Sequence, residues 1–435
     1  MSAKAWTHWY RWLTLISIGA LIPPVVWILM RKLHATPSGD AWYFHWQAAL
    51  IANGSGWFIS PLPYLYHQTI VPSALHPPLW VLVLAFVDKL GLDSYPAQLF
   101  AAAVLGAVAV FVTGLAAREV AGPRAGLIAA AIAALYPNYW INYGLGLSET
   151  VILVIIAAVI LVSFKLWRSP SVSKALVLGL LCGLAALTRA EQVLLIPVVL
   201  VPLTLLLRDV ALRKRLQYGA VGIVAAALIM APWLGFNLSR FTDATLFSND
   251  SGTTLAMSNC RPAYRDGYLG SGDFLCLNHI PSVPGDESVQ DAHQRRVALR
   301  YVDSHLGRLP VVLVARPARE FGLFTPLGQL RLESTVNKRP LLPAAIGLGA
   351  YYLLVIAGVY GAITLRRRRL PLVPFVGILV ELVATAMVTF GQTRYRAPFE
   401  VVLVVLVAVA ADAILDRRSG SADETAASEE TPVAV

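Results

Sequence analysis

Seven ionisable side chains define the chemistry open to this chain: Asp40, His76, Glu149, Arg189, Glu191, Arg394 and Arg396. A hydroxyl is a poor nucleophile, and a positioned carboxylate can take its proton. Asp40 suits that task. A phosphate that departs into a low-dielectric region needs fixed cations, and guanidinium meets it bidentately. Arg394 and Arg396 suit that task, with Arg189 and His76 beside them. Glu149 can position the hydroxyl-bearing reactant or tune Asp40.

The elements that position these residues lie mostly in lipid. Of 435 residues, 57% are hydrophobic and only 14% charged, against roughly 25% charged in a soluble domain. Mean hydropathy is +0.65. So little charge means that most of the chain faces a bilayer. The net charge of +10 sits in short Lys and Arg clusters between apolar runs, which is the pattern of positive-inside loops and not of a nucleic-acid surface. The first apolar run is too long for a cleavable signal peptide, and no small-residue cleavage site follows it.

Ten apolar runs read as spans: 12–30, 98–117, 125–143, 150–164, 175–188, 193–207, 217–235, 341–363, 371–390 and 398–415. The cationic clusters (Lys4 and Arg11, Arg118 and Arg124, Lys165 to Lys174, RDVALRKR, Arg366 to Arg369) then fall on one side. Both termini are therefore expected in the cytoplasm of a multi-pass cell-membrane protein. Residues 79–90 are short for a span and read as a half-embedded helix on the outer face. The expected architecture is all-α and polytopic, in four parts. Residues 1–235 form a membrane module whose first outer loop, 31–97, carries chemistry. Residues 236–340 form an extracytoplasmic segment, 341–415 the last spans, and 416–435 a disordered tail.

This topology collects the unusual polar residues on the outer face. Asp40, His76, Glu149, Arg189, Glu191, Arg394 and Arg396 all map there, as does the 236–340 segment. Ionisable groups at membrane depth are by default functional candidates. The stretch PSGDAWYFHWQAALIANGSGWFISPLPYLYHQTIVPSALHPP at 37–78 is too polar to span and too aromatic to be a solvated linker. It is expected to form outer-face amphipathic helices, with Asp40 also serving as N-cap to AWYFHWQAAL. Trp42, Tyr43, His45, Glu191 and Tyr395 are candidate substrate-lining residues. An interfacial belt explains most of the aromatics equally well, and packing or capping is the simpler reading of His45. No His, Cys and acid spacing forms a closed metal site, so no metal or other cofactor is indicated.

Of the three cysteines, Cys182 falls within a span and reads as packing. Cys260 and Cys276 fall in the outer segment, where an oxidising compartment favours a disulfide. Closing a loop of about 15 residues is worth about 3 kcal/mol in the chain-entropy model. Further on, Val289, Val297, Tyr301, Val302 and Leu306 have helical spacing, and LPVVLVA at 309–315 is too short to span.

Several motifs run in order from about residue 38 to 400: GDAWYFHWQAALIANGSGW, HPPLWVLVLA, AGPRAGLIAAAIAALYPNYWINYGLGLSET, LTRAEQVLLIPV, APWLGFN, the NC…C loop, GDESV…RYVDSHLGRLP and GQTRYRAP. Together they resemble the GT-C superfamily of membrane glycosyltransferases. The likeness is to family 39-like members, relatives of protein O-mannosyltransferases and of lipid A aminoarabinose transferase, and to their shorter, actinobacterial type. The resemblance implies a GT-C-like fold and transfer of a sugar, with inversion, from a polyprenyl-phosphate donor. The acceptor would be an envelope glycan, lipid or protein on the outer face. It implies that Asp40 is the base, with Glu149 as a second acid. His76, Arg189, Arg394 and Arg396 would lie near the donor phosphate. The chain also departs from the pattern. Asp40 stands alone where metal-dependent relatives carry paired acids, and Phe236 stands where a cation often precedes the Asn. A secondary transporter and a lipid-linked-oligosaccharide ligase are the alternatives. A transporter should show inverted repeats, and none is visible. Glu381, alone within a span, suits it better.

Overall fold

The computed structural model describes residues 3–429. Helix accounts for 75% of it, and among the described residues there is no strand, only an isolated bridge between Ile59 and Pro72. Each of the ten expected spans falls on helical structure, most of them on a single helix. Six are long and apolar enough to cross a membrane: Trp6–Arg31, Tyr95–Ala121, Glu149–Arg168, Leu212–Leu238, Leu341–Arg367 and Thr393–Arg417. Pro123–Leu135, Val172–Thr188, Ala190–Leu205 and Val373–Val388 are apolar but shorter. By composition and helix count this is a multi-pass membrane protein.

Tyr95–Ala121 and Glu149–Arg168 pack side by side at the centre, and Pro123–Leu135 and the C-terminal helix lie against them. Val172–Thr188 packs on Leu212–Leu238, and Leu341–Arg367 on the C-terminal helix. Small residues permit these approaches. A Cβ added at Gly179 would lie 2.0 Å from the Gly222 carbonyl, and one at Gly361 would lie 2.0 Å from the Leu406 carbonyl.

Prolines shape the departures from simple spans. The 125–143 run is not one helix: it stops at Leu135 and restarts as Pro137–Tyr143, because proline cannot continue the hydrogen-bond ladder and starts a new helix well. The 193–207 run is irregular, with a 3₁₀ turn at Ala190–Leu194, a π turn at Ile196–Leu200 and a short α-helix at Val201–Leu205. Pro197 and Pro202 lie inside it. Residues 309–315 belong to a longer helix, Leu309–Glu320, that buries Val312, Ala315, Arg316, Arg319 and Glu320. The C-terminal helix runs on to Glu429, into a stretch expected to be disordered. Its alanines and glutamates are good helix formers. The rest of that tail, 430–435, lies outside the described residues.

The first loop holds three helices, beginning with Asp40–Ala52 and Pro61–His67. Asp40–Ala52 is more enclosed than an amphipathic surface helix, for Ala41, Tyr43, Phe44, His45, Gln47, Ala48 and Leu50 are all buried. Pro78–Lys89 follows, with Trp80 Nε1 donating to the Gly146 carbonyl at 3.0 Å. Residues 236–340 fold into helices Ser251–Ser258, Glu287–Asp303, Leu309–Glu320 and Pro326–Val336. They surround a small core of Ala263, Tyr264, Leu269, Val312 and Ala315. The expected disulfide joins Cys260 and Cys276, with Cα atoms 6.1 Å apart. Cys182 is buried and free.

The two ends of the bundle differ. One end carries arginine clusters, where Arg124 pairs with Asp412 at 2.8 Å and with Asp416. Trp167, Arg208, Arg366 and Arg369 line a shallow depression there. The first loop and the 236–340 segment close over the other end.

Candidate active site

Two acids of the site begin helices. Asp40 is the first residue of Asp40–Ala52, and the N-cap before it is Gly39 at φ 57°. That left-handed conformation favours glycine. The expected cap role of Asp40 is therefore corrected: the cap position belongs to Gly39, and the Asp40 carboxylate accepts from Arg394 instead. Glu149 is likewise the first residue of Glu149–Arg168. A negative charge in the first helical turn is favoured by the helix dipole. The cations sit just outside α-helices, Arg189 after one and Arg394 before another. Arg189 ends Val172–Thr188 in extended conformation, and Arg394 sits in the 3₁₀ turn Thr393–Arg396.

These ends meet in one ion network. Arg394 Nη2 donates to Asp40 Oδ2 at 2.6 Å, and Arg394 Nε lies 3.7 Å from Glu149 Oε1. Arg189 Nη1 donates to the same Glu149 oxygen at 2.9 Å, and its Nε to Glu191 Oε1 at 2.5 Å. The Tyr395 ring lies beneath both guanidiniums, 4.7 Å from Arg189 and 4.9 Å from Arg394, within cation–π range. Glu149 is almost fully enclosed at 2% exposure, whereas a third of the Asp40 side chain (33%) faces open space.

That space is a cavity of about 410 Å³. Asp40, His76, Arg189, Glu191, Arg394 and Tyr395 line one side of it. The 236–340 segment contributes Ser248, Asp250, Thr253, Thr254, Met257 and Phe274 to its lining, with Val336 and Asn337. Burial alone would raise the Asp40 pKa, but Arg394, His76 and Arg189 outweigh it and hold the carboxyl at about 2. Burial pushes His76 below its ordinary value despite the Asp40 charge, so at neutral pH it is an uncharged hydrogen-bonding group, packed against Tyr43 and Phe44. Asp250 behaves in the opposite way to Asp40. Burial, and then the nearby Asp40 charge, push it up to about 8.

Four expected site residues lie elsewhere. Arg396 is only 1% exposed and turns away from the cavity. It donates to Glu400 at 2.7 Å and to the Glu320 carbonyl at 3.2 Å, and stacks on Tyr351. With about three residues per turn in a 3₁₀ helix, positions two apart point to different sides, so Arg394 and Arg396 do not face the same space. Trp42, Tyr43 and His45 also miss the cavity. On that helix Asp40 and Phe44 share a face, being four residues apart, and Phe44 is the one that lines the space. Tyr43 bonds to Ser73 at 2.7 Å and accepts from Gln47 at 2.6 Å. His45 bonds to Gln98 at 2.9 Å, which in turn donates to Asp88 at 2.7 Å. Glu381 is buried in its span, where it accepts from Thr385, away from the cavity.

Sequence reasoning missed three residues. Asp250 sits in SNDSGTT, a polar run with no periodicity to flag it. Glu333 holds the Arg394 turn in place: its carboxylate accepts from the Thr393 backbone at 2.6 Å and from the Thr393 hydroxyl at 2.5 Å. Arg240 supplies the cation missing before Asn237, from one turn further on. It bonds to the Asn237 side chain at 3.0 Å and staples the carbonyls of Phe58 and Ser73. Among the described residues no three His, Cys, Asp or Glu side chains converge as a metal site.

A family profile described as dolichyl-phosphate-mannose-protein mannosyltransferase matches residues 75–236. Among solved structures, the archaeal oligosaccharyltransferase AglB from Archaeoglobus fulgidus, in complex with an inhibitory peptide and a dolichol-phosphate, matches at a TM-score of 0.57 and 16% identity. The match covers 98% of this chain and 52% of that one. The chain shares its fold with that structure. A second structure of the Archaeoglobus enzyme, tethered to an acceptor peptide, matches at 0.54 and 18% identity over 95% of this chain and 50% of the other. ArnT from Cupriavidus metallidurans, bound to undecaprenyl phosphate, matches at 0.44 and 16% identity over 94% and 78% of the two chains. The chain thus spans about half the length of the oligosaccharyltransferases it resembles. A sequence search of curated proteins finds no match. The profile match ends at Phe236, so it includes Glu149 and Arg189 but neither Asp40 nor Arg394.

Proposed function

We propose that this protein is an inverting glycosyltransferase. It moves one sugar from a polyprenyl-phosphate donor to a hydroxyl of an envelope acceptor. The observation that carries the reading is the meeting of a cavity-facing carboxylate, Asp40, with two guanidiniums, Arg394 and Arg189, in one space. The family description and the dolichol-phosphate in the AglB complex support a lipid-linked donor.

The acceptor O–H bond breaks and its proton passes to Asp40. The acceptor oxygen bonds to the anomeric carbon from the face opposite the phosphate. The carbon–oxygen bond to phosphate breaks, and its electron pair leaves with the polyprenyl phosphate. Arg394 and Arg189 stabilise that anion, and neutral His76 donates one hydrogen bond. A carboxyl held at about 2 is a weak base. Donor phosphate competes with Asp40 for Arg394, and this relieves the carboxylate when substrate is in place. Glu149 keeps Arg189 and Arg394 aligned. In this reading guanidinium, not metal, faces the phosphate. The cavity end is extracytoplasmic in this reading and both termini are cytoplasmic, supported by the arginine clusters at the opposite end.

The test is sugar transfer from a defined polyprenyl-phosphate donor by purified protein. Asp40→Asn should lose roughly 10²- to 10⁴-fold in kcat while still binding donor. Turnover like the wild type in a folded Asp40→Asn protein sinks the assignment.

A further inference from the structure

The two sides of the cavity carry different chemistry, and the side built by residues 248–274 has no part in the reaction written above. Its lining residues are Ser248, Asp250, Thr253, Thr254, Met257 and Phe274. None is Lys, Arg or His. The cations of the cavity, Arg189 and Arg394, are both on the bundle side, with His76. Phe274 is 56% exposed, so it borders the cavity without being spent on core packing. Asp273 caps its 3₁₀ turn by accepting from Leu275 N at 2.9 Å, and Cys276 in the same turn is disulfide-bonded.

Asp250 is the one ionisable group on this side. It faces Asp40 and Arg394 across the cavity, Asp291 on the packed helix Glu287–Asp303, and Thr254 on its own helix. His76, Arg189, Glu191 and Tyr395 complete the ring of titratable groups. Asp291 is already engaged by Ser251 at 3.0 Å and Arg295 at 3.1 Å. With Asp40 ionised beside Arg394, the second carboxyl keeps its proton, which is the usual outcome when environments push two acids apart. A protonated carboxyl is both a donor and an acceptor. This side therefore presents hydroxyls, a neutral carboxyl and an aromatic face.

We infer that residues Asp250, Thr253, Thr254 and Phe274 form the acceptor subsite, and that the acceptor is an uncharged glycan. The inference rests on the glycosyltransferase reading. Hydroxyl pairs and a neutral acid match the hydroxyls of a sugar ring, and Phe274 stacks on its apolar face. A phosphorylated or carboxylated acceptor would need cations on this side, and none line it.

The experiment uses the full-length protein in lipid nanodiscs with a radiolabelled polyprenyl-phosphate sugar. Envelope carbohydrate from the source organism is split by anion exchange into neutral and anionic pools, with a protein pool beside them. Label is expected in the neutral pool. With that pool, Phe274→Ala and Asp250→Ala should each raise the acceptor KM about tenfold, a change worth about 1.4 kcal/mol, with donor KM unchanged within about twofold. Asp250→Asn, which keeps a neutral donor and acceptor, should stay within about threefold. The wild-type acceptor KM should rise above about pH 8, and that rise should be absent in Asp250→Asn. Label in the anionic or protein pool overturns the inference but leaves the transferase reading intact, as does an unchanged acceptor KM in Phe274→Ala. No consumption of donor with any pool overturns both.

Discussion

On the bundle side of the cavity, charge is dense and mutually engaged. Asp40, Glu149, Arg189 and Arg394 hang from four helix ends and form one continuous network. On the side of residues 248–274 there is a single ionisable group, Asp250, held by a segment tied down by the Cys260–Cys276 disulfide. The difference teaches how a membrane protein divides labour. Fixed opposite charges are affordable where several helix ends lock their geometry, and there they can meet an anionic lipid phosphate. The neutral groups of residues 248–274 suit the uncharged acceptor proposed above.

The sharpest way to break this comparison is at Arg394. Arg394→Ala leaves Asp40 and Glu149 short of a buried cation, which costs about 3–5 kcal/mol, and transfer should fall by at least two orders of magnitude. Arg394→Lys should recover folding but not the bidentate contact. Arg396→Ala should destabilise the fold comparably through Glu400 yet leave turnover per folded molecule within a few-fold. Urea melts paired with transfer assays separate the two arginines. Equal losses of turnover would show that both serve the donor.

Loss of the disulfide is next. Cys260→Ser with Cys276→Ser should cost about 3 kcal/mol by the chain-entropy model and raise acceptor KM more than donor KM. Glu333→Gln weakens the anchor of the Arg394 turn and should cost about 1–3 kcal/mol, raising donor KM instead. Opposite shifts in the two KM values are the signature of two independent sides.

The pH dependence of stability gives a smaller and cleaner contrast. Asp250 has its folded pKa raised to about 8 from an ordinary 3.8. The folded protein then holds a proton that the unfolded chain releases, so stability falls as pH rises from about 4 through about 8. Asp250→Asn should remove that loss, giving a higher Tm than wild type at pH 8 and little difference at pH 4.5. A Tm difference independent of pH would place the charge elsewhere. The smallest expected effect is that of chelation: excess EDTA should leave transfer within about twofold, and a loss restored by Mg²⁺ or Mn²⁺ would require a metal beside Asp40.

Much of this was legible in the residues themselves. Apolar runs locate the six helices long and apolar enough to span and the four shorter apolar ones, because lipid imposes length and hydropathy directly on sequence. Asp40, His76, Glu149, Arg189, Glu191, Arg394 and Tyr395 were identifiable as polar residues at span ends, and all but Glu149 line the cavity. Direction within a turn was not legible. Arg394 and Arg396 read alike in TRYR until the 3₁₀ turn sends them to different sides. Phe44 replaces Trp42, Tyr43 and His45 for a similar reason, since helix phase decides which aromatic faces Asp40. Asp250 and Glu333 lie in a polar segment whose contacts are long-range, and local pattern carries no sign of them.

The central claim is that Asp40 and the donor phosphate share Arg394. A structure of the protein with a bound polyprenyl phosphate tests it most directly. The account predicts phosphate oxygens within hydrogen-bonding distance of Arg394 and Arg189, with His76 adjacent and the Asp40 carboxylate left open to the acceptor side. A phosphate bound at Arg396, or against Asp250 and Phe274, would contradict it.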